Sequence, residues 1–281
     1  MTTGGGAVES AAERAARARQ SRRRWKVFGT LALTVTLVVG AVQTWAMAVQ
    51  QRTDSERTYP VAVTRVRLDT GSAVVTIRPG SEGRVVVRQH LDWMIRKPVV
   101  SALFDQDGLE VRMRCNQVLP VTDLGCGALI ELEVPAGVAV EGKQSSGVID
   151  LAGLTGAVDL ASTSGEVRLA GLSGPVTVRS TSGSVRGSEL SSAKLDVAAT
   201  SGSVELGFLV PPHNVDIGVT SGSVTMALPT GSRYDFDGGS APRGRIDPTL
   251  ADHSSPYKVR ISVSSGTVSV FSKGGDLNVT G

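Results

Sequence analysis

Gln144-Ser145-Ser146-Gly147-Val148-Ile149-Asp150-Leu151 returns as Ser162-Thr163-Ser164-Gly165-Glu166-Val167-Arg168-Leu169. It returns again at Ser180 to Gly187, Ala199 to Leu206 and Val219 to Met226. By difference, the glycines Gly147, Gly165, Gly183, Gly202 and Gly222 stand 18, 18, 19 and 20 residues apart. A fainter series, Gly156 and Gly174, falls 9 residues after Gly147 and Gly165. Each unit is therefore expected to hold two half-units, each a strand and a turn. A fixed period this short marks an array in which no unit buries its apolar face alone and each stacks on the next.

Strand neighbours alternate faces, so aligning the units on their glycines sorts the side chains. Two residues after the glycine stand Ile149, Val167, Val185, Val204 and Val224, and four after it Leu151, Leu169, Gly187, Leu206 and Met226. Between them stand Asp150, Arg168, Arg186, Glu205 and Thr225, always polar and expected to point outward. The half-units add Val158 with Leu160, Val176 with Val178, Leu195 with Val197, and Val215 with Ile217. The expected fold is all-β, a β-solenoid or β-roll of about 18 to 20 residues per rung with two strands per rung. Its two sheets would face each other across a thin aliphatic core.

The Ser/Thr-Ser-Gly triplets read as turns, where glycine supplies a positive φ and the hydroxyls satisfy turn amides. The same hydroxyls would also form a ladder along one edge that can meet a glycan. After Pro229 the pattern lapses, and Ser264-Ser265-Gly266-Thr267-Val268-Ser269-Val270 is a last copy, 44 residues after Gly222 by difference. The stretch Thr230 to Pro256 is expected to be a loop-rich insertion filling about one rung's space. Its Asp235, Asp237, Asp247 and Asp252 raise the reading of a cation site against that of a plain surface loop. A calcium roll would need Asp at a fixed place in its nonapeptide, but Asp150 and Asp159 are followed by Arg168 and Thr177.

Upstream, β patterning begins at Tyr59, with turns at Thr70-Gly71-Ser72 and Pro79-Gly80-Ser81. Leu91 to Phe104 holds bulky apolar groups and is expected to cap one end of the core. Leu109 to Cys115 and Ala128 to Val134 alternate as strands. The two cysteines, Cys115 and Cys126, are expected to form a disulfide stapling two neighbouring strands in an oxidising compartment. Unpaired buried thiols are the alternative, and two sulfurs without histidine make a poor zinc site.

Residues 1–26 carry seven bases and two acids, a balance of +5 that leaves −2 for the rest of a chain whose formal net charge is +3. They are expected to be a disordered, cytoplasmic basic tail. The main body lacks a phosphate-neutralising stripe, so nucleic acid is not an expected partner. Val27 to Val49 is uncharged, and as a helix would measure about 35 Å, enough for a single-pass transmembrane anchor. Trp25 and Trp45 would mark the interfaces, with the arginine cluster inside. Gln50 to Thr58 is expected to be a short linker, and residues 59–281 an extracytoplasmic domain. The alternative is a signal cleaved after Ala48, given Ala46-Met47-Ala48. Arg22-Arg23 hints at twin-arginine export, which Lys26 weakens.

Val134-Pro135-Ala136-Gly137-Val138-Ala139-Val140, followed by the Ser-Ser-Gly-x-Val-x-Leu rungs, resembles a bacterial family of candidate adhesin domains of unknown function, over roughly Val61 to Val270. The resemblance implies an exported β-solenoid or β-roll, often tethered by one membrane helix and sometimes linked to envelope-stress signalling. It carries no catalytic residues. The expected function is thus a non-enzymatic binding or structural module at the cell envelope, its partners the membrane and a cell-wall polymer or envelope protein. The alternative is an accessory sensor in envelope-stress signalling. A third, a carbohydrate-active β-helix enzyme, needs clustered carboxylates or a poised histidine, and His90, His213 and His253 are scattered. No cofactor or metal site is expected.

Overall fold

In the computed structural model the described residues are 33–40, 51–93, 97–106, 108–115, 126–237 and 243–273. The chain divides into two units, residues 1–50 and 51–281. In the first, residues 33–40 form a helix on which Leu33, Val35, Leu37, Val38 and Val39 are all exposed. Among the described residues no helix is long and apolar enough to cross a membrane. The rest of the expected span 27–49, the basic tail and the Ala48 junction lie outside the described residues.

The second unit is almost wholly β. Its strands are β1 (Gln51–Tyr59), β2 (Arg65–Asp69), β3 (Val74–Pro79), β4 (Val85–Trp93), β5 (Val99–Asp105), β6 (Gly108–Arg114), β7 (Cys126–Val134) and β8 (Ala139–Ala152). They continue as β9 (Val158–Ala170), β10 (Val176–Leu190), β11 (Lys194–Phe208), β12 (Asn214–Leu228), β13 (Asp235–Phe236), β14 (Arg243–Ile246) and β15 (Lys258–Ser272). All join one sheet.

The repeat is a stack of parallel strands in the order β8, β9, β10, β11, β12, β15. Equivalent residues lie directly side by side: Val185 pairs with Val204, Val204 with Val224, and Val224 with Val268. The apolar columns read from the alternation are buried throughout, Ile149, Val167, Val204, Leu160, Val178 and Ile217 among them. Burial of such side chains is worth about 1.5–3 kcal/mol each before entropy.

The structure departs from the expected two strands and two turns per rung. The Ser/Thr-Ser-Gly triplets do not end a strand; each level from β8 to β12 is one strand of 13 to 15 residues bent at the triplet. In β9 the inward residues are Val158, Leu160 and Ser162 before the bend but Val167 and Leu169 after it. Two successive residues, Thr163 and Ser164, point out, so the alternation slips by one and the second half turns to face the first. A Cβ placed on Gly142 would lie 2.6 Å from Leu160 Cδ2 and 3.6 Å from Ile149 Cδ1, so side chains of both halves converge there. The chain reverses instead at the fainter glycine series, around Gly153 to Ala157 and Gly171 to Pro175. The drift from 18 to 19 residues has a local cause. Between Gly187 and Leu190 of β10 there is one more residue than between Leu206 and Phe208 of β11, with Glu189 at φ 54°.

Both ends of the stack are closed by the same device, in which the chain overshoots by one level and then fills the gap. At the N-terminal end β2 and β3 together make one level against the two halves of β8. The chain next builds the outer level, β4 and β5, and returns with β6 and β7 to occupy the place between. Leu91–Trp93 and Val99–Phe104 thus do lie near the end of the core, as strands of that outer level. At the other end β13 and β14 pair outside β15, which slides in beside β12. The stretch expected as a loop-rich insertion is therefore the terminal cover of the stack.

Two other expectations are corrected. Gln50 to Thr58 is not a free linker, because Gln51–Tyr59 pairs antiparallel with β4 through all nine residues. Its alternating charges meet a complementary row: Arg52 with Asp92 at 2.9 Å, Asp54 with His90 at 2.9 Å, and Glu56 with Arg88 at 3.3 Å. The strands flanking the cysteines are not hydrogen-bonded neighbours either; β6 pairs β2 and β5, whereas β7 pairs β3 and β4. Cys115 and Cys126 instead stand just after β6 and at the start of β7, the two halves of one level.

Candidate surface along the bends

The bend depends on glycine for a reason that the stacking supplies. Gly202 and Gly222 have φ of 141° and 152°, where side chains are strained. A Cβ on Gly202 would also run into the carbonyl oxygen of Gly183, and one on Gly222 into that of Gly202. Each glycine is thus the floor on which the next level rests.

The ladders run up to each bend and resume beyond it, skipping the first residue of the triplet, Thr181 and Thr200 between β10 and β11 for example. Gly183, Gly202, Gly222 and Gly266 align in register. Among the described residues no hydrogen bond joins these hydroxyls to the bend amides, which corrects the expectation that they satisfy them. Ser145, Thr163, Thr181, Thr200, Thr220 and Ser264 are exposed, and their side chains have no hydrogen-bond partner among the described residues. They form one wall of a groove of about 720 Å³ running across six levels. Ala161, Ala198, Gly218 and Ser262 form its low floor, interrupted by Lys143 and Arg179. At about 4.8 Å per level the groove is about 24 Å long. Arg179 is held by Asp159 at 3.1 Å.

Beneath the bend lies a second column, pointing inward: Thr70, Gln144, Ser162, Ser180, then Ala199, Val219 and Val263. The polar members are buried, and their side-chain polar atoms have no partner among the described residues. Gln144 fills the interior beside Gly165, where a Cβ would strike its Nε2. The column is polar at the N-terminal levels and apolar at the last three.

The outward charged column on the other half is a linked ladder. Arg78 grips Asp150 with two bonds of 2.9 and 3.1 Å. Arg168 and Arg186, adjacent like charges in the sequence alignment, are bridged by Glu166, which bonds Arg168 at 2.7 Å and also Arg186. Arg186 continues to Glu205 at 3.4 Å. The hydrogen bond from Arg168, with help from Arg186, holds the Glu166 carboxyl below its ordinary value. Sequence reasoning missed Glu166 because it stands directly after the glycine, where the other copies carry Val148, Ser184, Ser203, Ser223 and Thr267.

The acidic residues of the C-terminal cover are occupied in structure. Asp235 binds Lys258 at 2.6 Å and His253 at 3.1 Å, and the Lys258 ammonium chiefly holds its carboxyl low. Asp237 meets Arg260 at 3.3 Å. Asp247 accepts from the Thr249 amide and hydroxyl, and Asp252 does the same with Ser254. Tyr234 is buried against Phe236 and Tyr257, and burial pushes its phenol up to about 12. Among the described residues no group of His, Cys, Asp and Glu is placed to hold a metal ion. The histidines have separate partners: His90 meets Asp54, His213 stacks on Tyr257, and His253 meets Asp235. Cys115 is half-buried against the core and carries no free thiol.

Residues 137–280 match the family model described as Toastrack DUF4097. No curated protein matches. Among solved structures, one described as a candidate cell adhesion protein from Clostridium sporogenes is 12% identical, with a TM-score of 0.35, covering 79% of this chain and 100% of that one. A candidate adhesin from Bacteroides fragilis is 15% identical, with a TM-score of 0.35, covering 78% and 97%. Another from Parabacteroides merdae is 11% identical, with a TM-score of 0.27, covering 79% and 96%.

Proposed function

The chain belongs to the Toastrack DUF4097 family, and from that premise we propose that it is a membrane-anchored, extracytoplasmic β-solenoid that binds a cell-wall polymer without catalysing a reaction. The observation that carries this reading is the row of unengaged hydroxyls along the groove. Groups repeating at the strand spacing suit an extended ligand whose own polar groups repeat, and a stack offers such a ligand one long face. A mostly neutral glycan fits best, because the floor is chiefly of small residues, Arg179 is already neutralised by Asp159, and Lys143 and Asp69 stand together at the N-terminal end of the groove.

The anchor reading rests on the uncharged span Val27 to Val49, within which residues 33–40 form a helix that exposes Leu33, Val35, Leu37, Val38 and Val39. A span of 23 uncharged residues has the length that a membrane crossing requires. The basic residues preceding it put the N-terminus in the cytoplasm and the β unit outside. In that oxidising setting Cys115 and Cys126 join as a disulfide, adding about 2–3 kcal/mol through the unfolded state.

Co-sedimentation of the purified full chain with insoluble cell-wall glycan tests the function. Binding that is lost when Thr181→Val and Thr200→Val are combined is expected. Equal sedimentation of the wild type with and without glycan would refute it. Protease accessibility of the β unit in intact cells, with N-terminal sequencing, separates an uncleaved anchor from cleavage after Ala48.

A further inference from the structure

β1 is unlike the long strands of the repeat. It makes a full antiparallel ladder with β4, yet none of its nine residues is buried. By contrast β12 and β15 each bury alternate residues on both sides of their bend. Beyond the ladder, β1 is held by polar contacts at the surface: the side chains of the Arg52–Asp92 ion pair are 73% and 50% exposed, those of Asp54 and His90 76% and 44%. Exposed pairs contribute little and weaken with salt. Only Tyr59, at the downstream end, makes a ring contact, with Phe104 at 4.6 Å. Arg88 keeps a second partner, Glu133 of β7 at 2.5 Å, so loss of Glu56 leaves it paired. Among the described residues β1 pairs with no strand but β4, and β4 has its other edge on β7.

We propose that β1 is a releasable strap, which peels from β4 as a unit starting at Gln51 and ending at the Tyr59–Phe104 contact. Segments with few buried apolar contacts and exposed backbone bonds open first. Peeling frees nine residues, up to about 30 Å of extra reach, between the N-terminal segment and the rest of the stack. It also bares the edge of β4, nine residues of unpaired backbone. The opening stands on the contacts of the strand itself; its use as an extensible tether rests on the anchor reading above.

Hydrogen exchange of the full chain, read by mass spectrometry, tests this. Amides of residues 51–59 are expected to exchange on the order of 100-fold faster than those of β9 to β11. That rate is expected to rise several-fold between about 0.05 and 0.5 M NaCl, with β9 to β11 unchanged. Arg52→Glu should accelerate it, and Arg52→Glu combined with Asp92→Arg should restore it. Exchange of β1 in step with β9 to β11, or a rate indifferent to salt and to these charges, would overturn the proposal. If exchange follows the prediction but the chain is washed from membranes by salt alone, the strap stands and the anchor reading falls.

Discussion

At the scale of single residues, two glycines of the repeat separate backbone demand from coincidence. Gly222→Ala forces a side chain into a strained φ and against the carbonyl of the level below, and should cost at least about 3 kcal/mol in chemical denaturation. Gly218, four residues away, has an ordinary φ and open space at its Cβ, so Gly218→Ala should change stability by no more than about 0.5 kcal/mol. The buried polar column makes the opposite kind of prediction. Ser180 sits where two later levels carry Val219 and Val263, and its hydroxyl is unpartnered. Ser180→Ala should therefore stabilise the fold by about 1 kcal/mol, measured the same way. Neither expectation was open to the sequence alone. The triplet looked like a turn because Gly, Ser and Thr are turn residues, and only the phase slip between Ser162 and Val167 shows that the strand continues through it.

At the scale of elements, the inward columns were legible because period two is strict wherever one face is buried. Val185, Val204 and Val224 could be placed from their spacing, and all are buried. The ends of the stack were not legible. β13 and β14 are two and four residues long, and β1 is polar on both faces, so none has an apolar alternation to detect. Their signal is complementarity with a distant partner, as in Arg52, Asp54 and Glu56 facing Asp92, His90 and Arg88. The Glu166 bridge between β9 and β10 was hidden for the same reason. Because its folded-state carboxyl lies below the ordinary value, it contributes stability above that value and loses it as pH falls through the carboxylate range. Stability between about pH 5 and pH 3 should fall less steeply in Glu166→Gln than in the wild type, as followed by thermal melting at each pH.

At the scale of the whole molecule, overshoot and backfill leaves the repeat closed at both ends by levels of different sequence, so that its core is covered. What remains open is the side, where the hydroxyl wall and low floor of the groove run the length of the repeat. Composition agrees with this kind of molecule, since 33 glycines and 4% aromatic residues suit turn-rich β structure. It did not show that the hydroxyls are unengaged, which depends on where the backbone bonds of the bend go. If the groove is the binding face, its use is a matter of length. Affinity of the full chain for cell-wall glycan oligomers should rise with oligomer length until the ligand spans about 24 Å, six levels of the stack, and then level off. An affinity that does not change with oligomer length, or binding by none of them, would contradict the account.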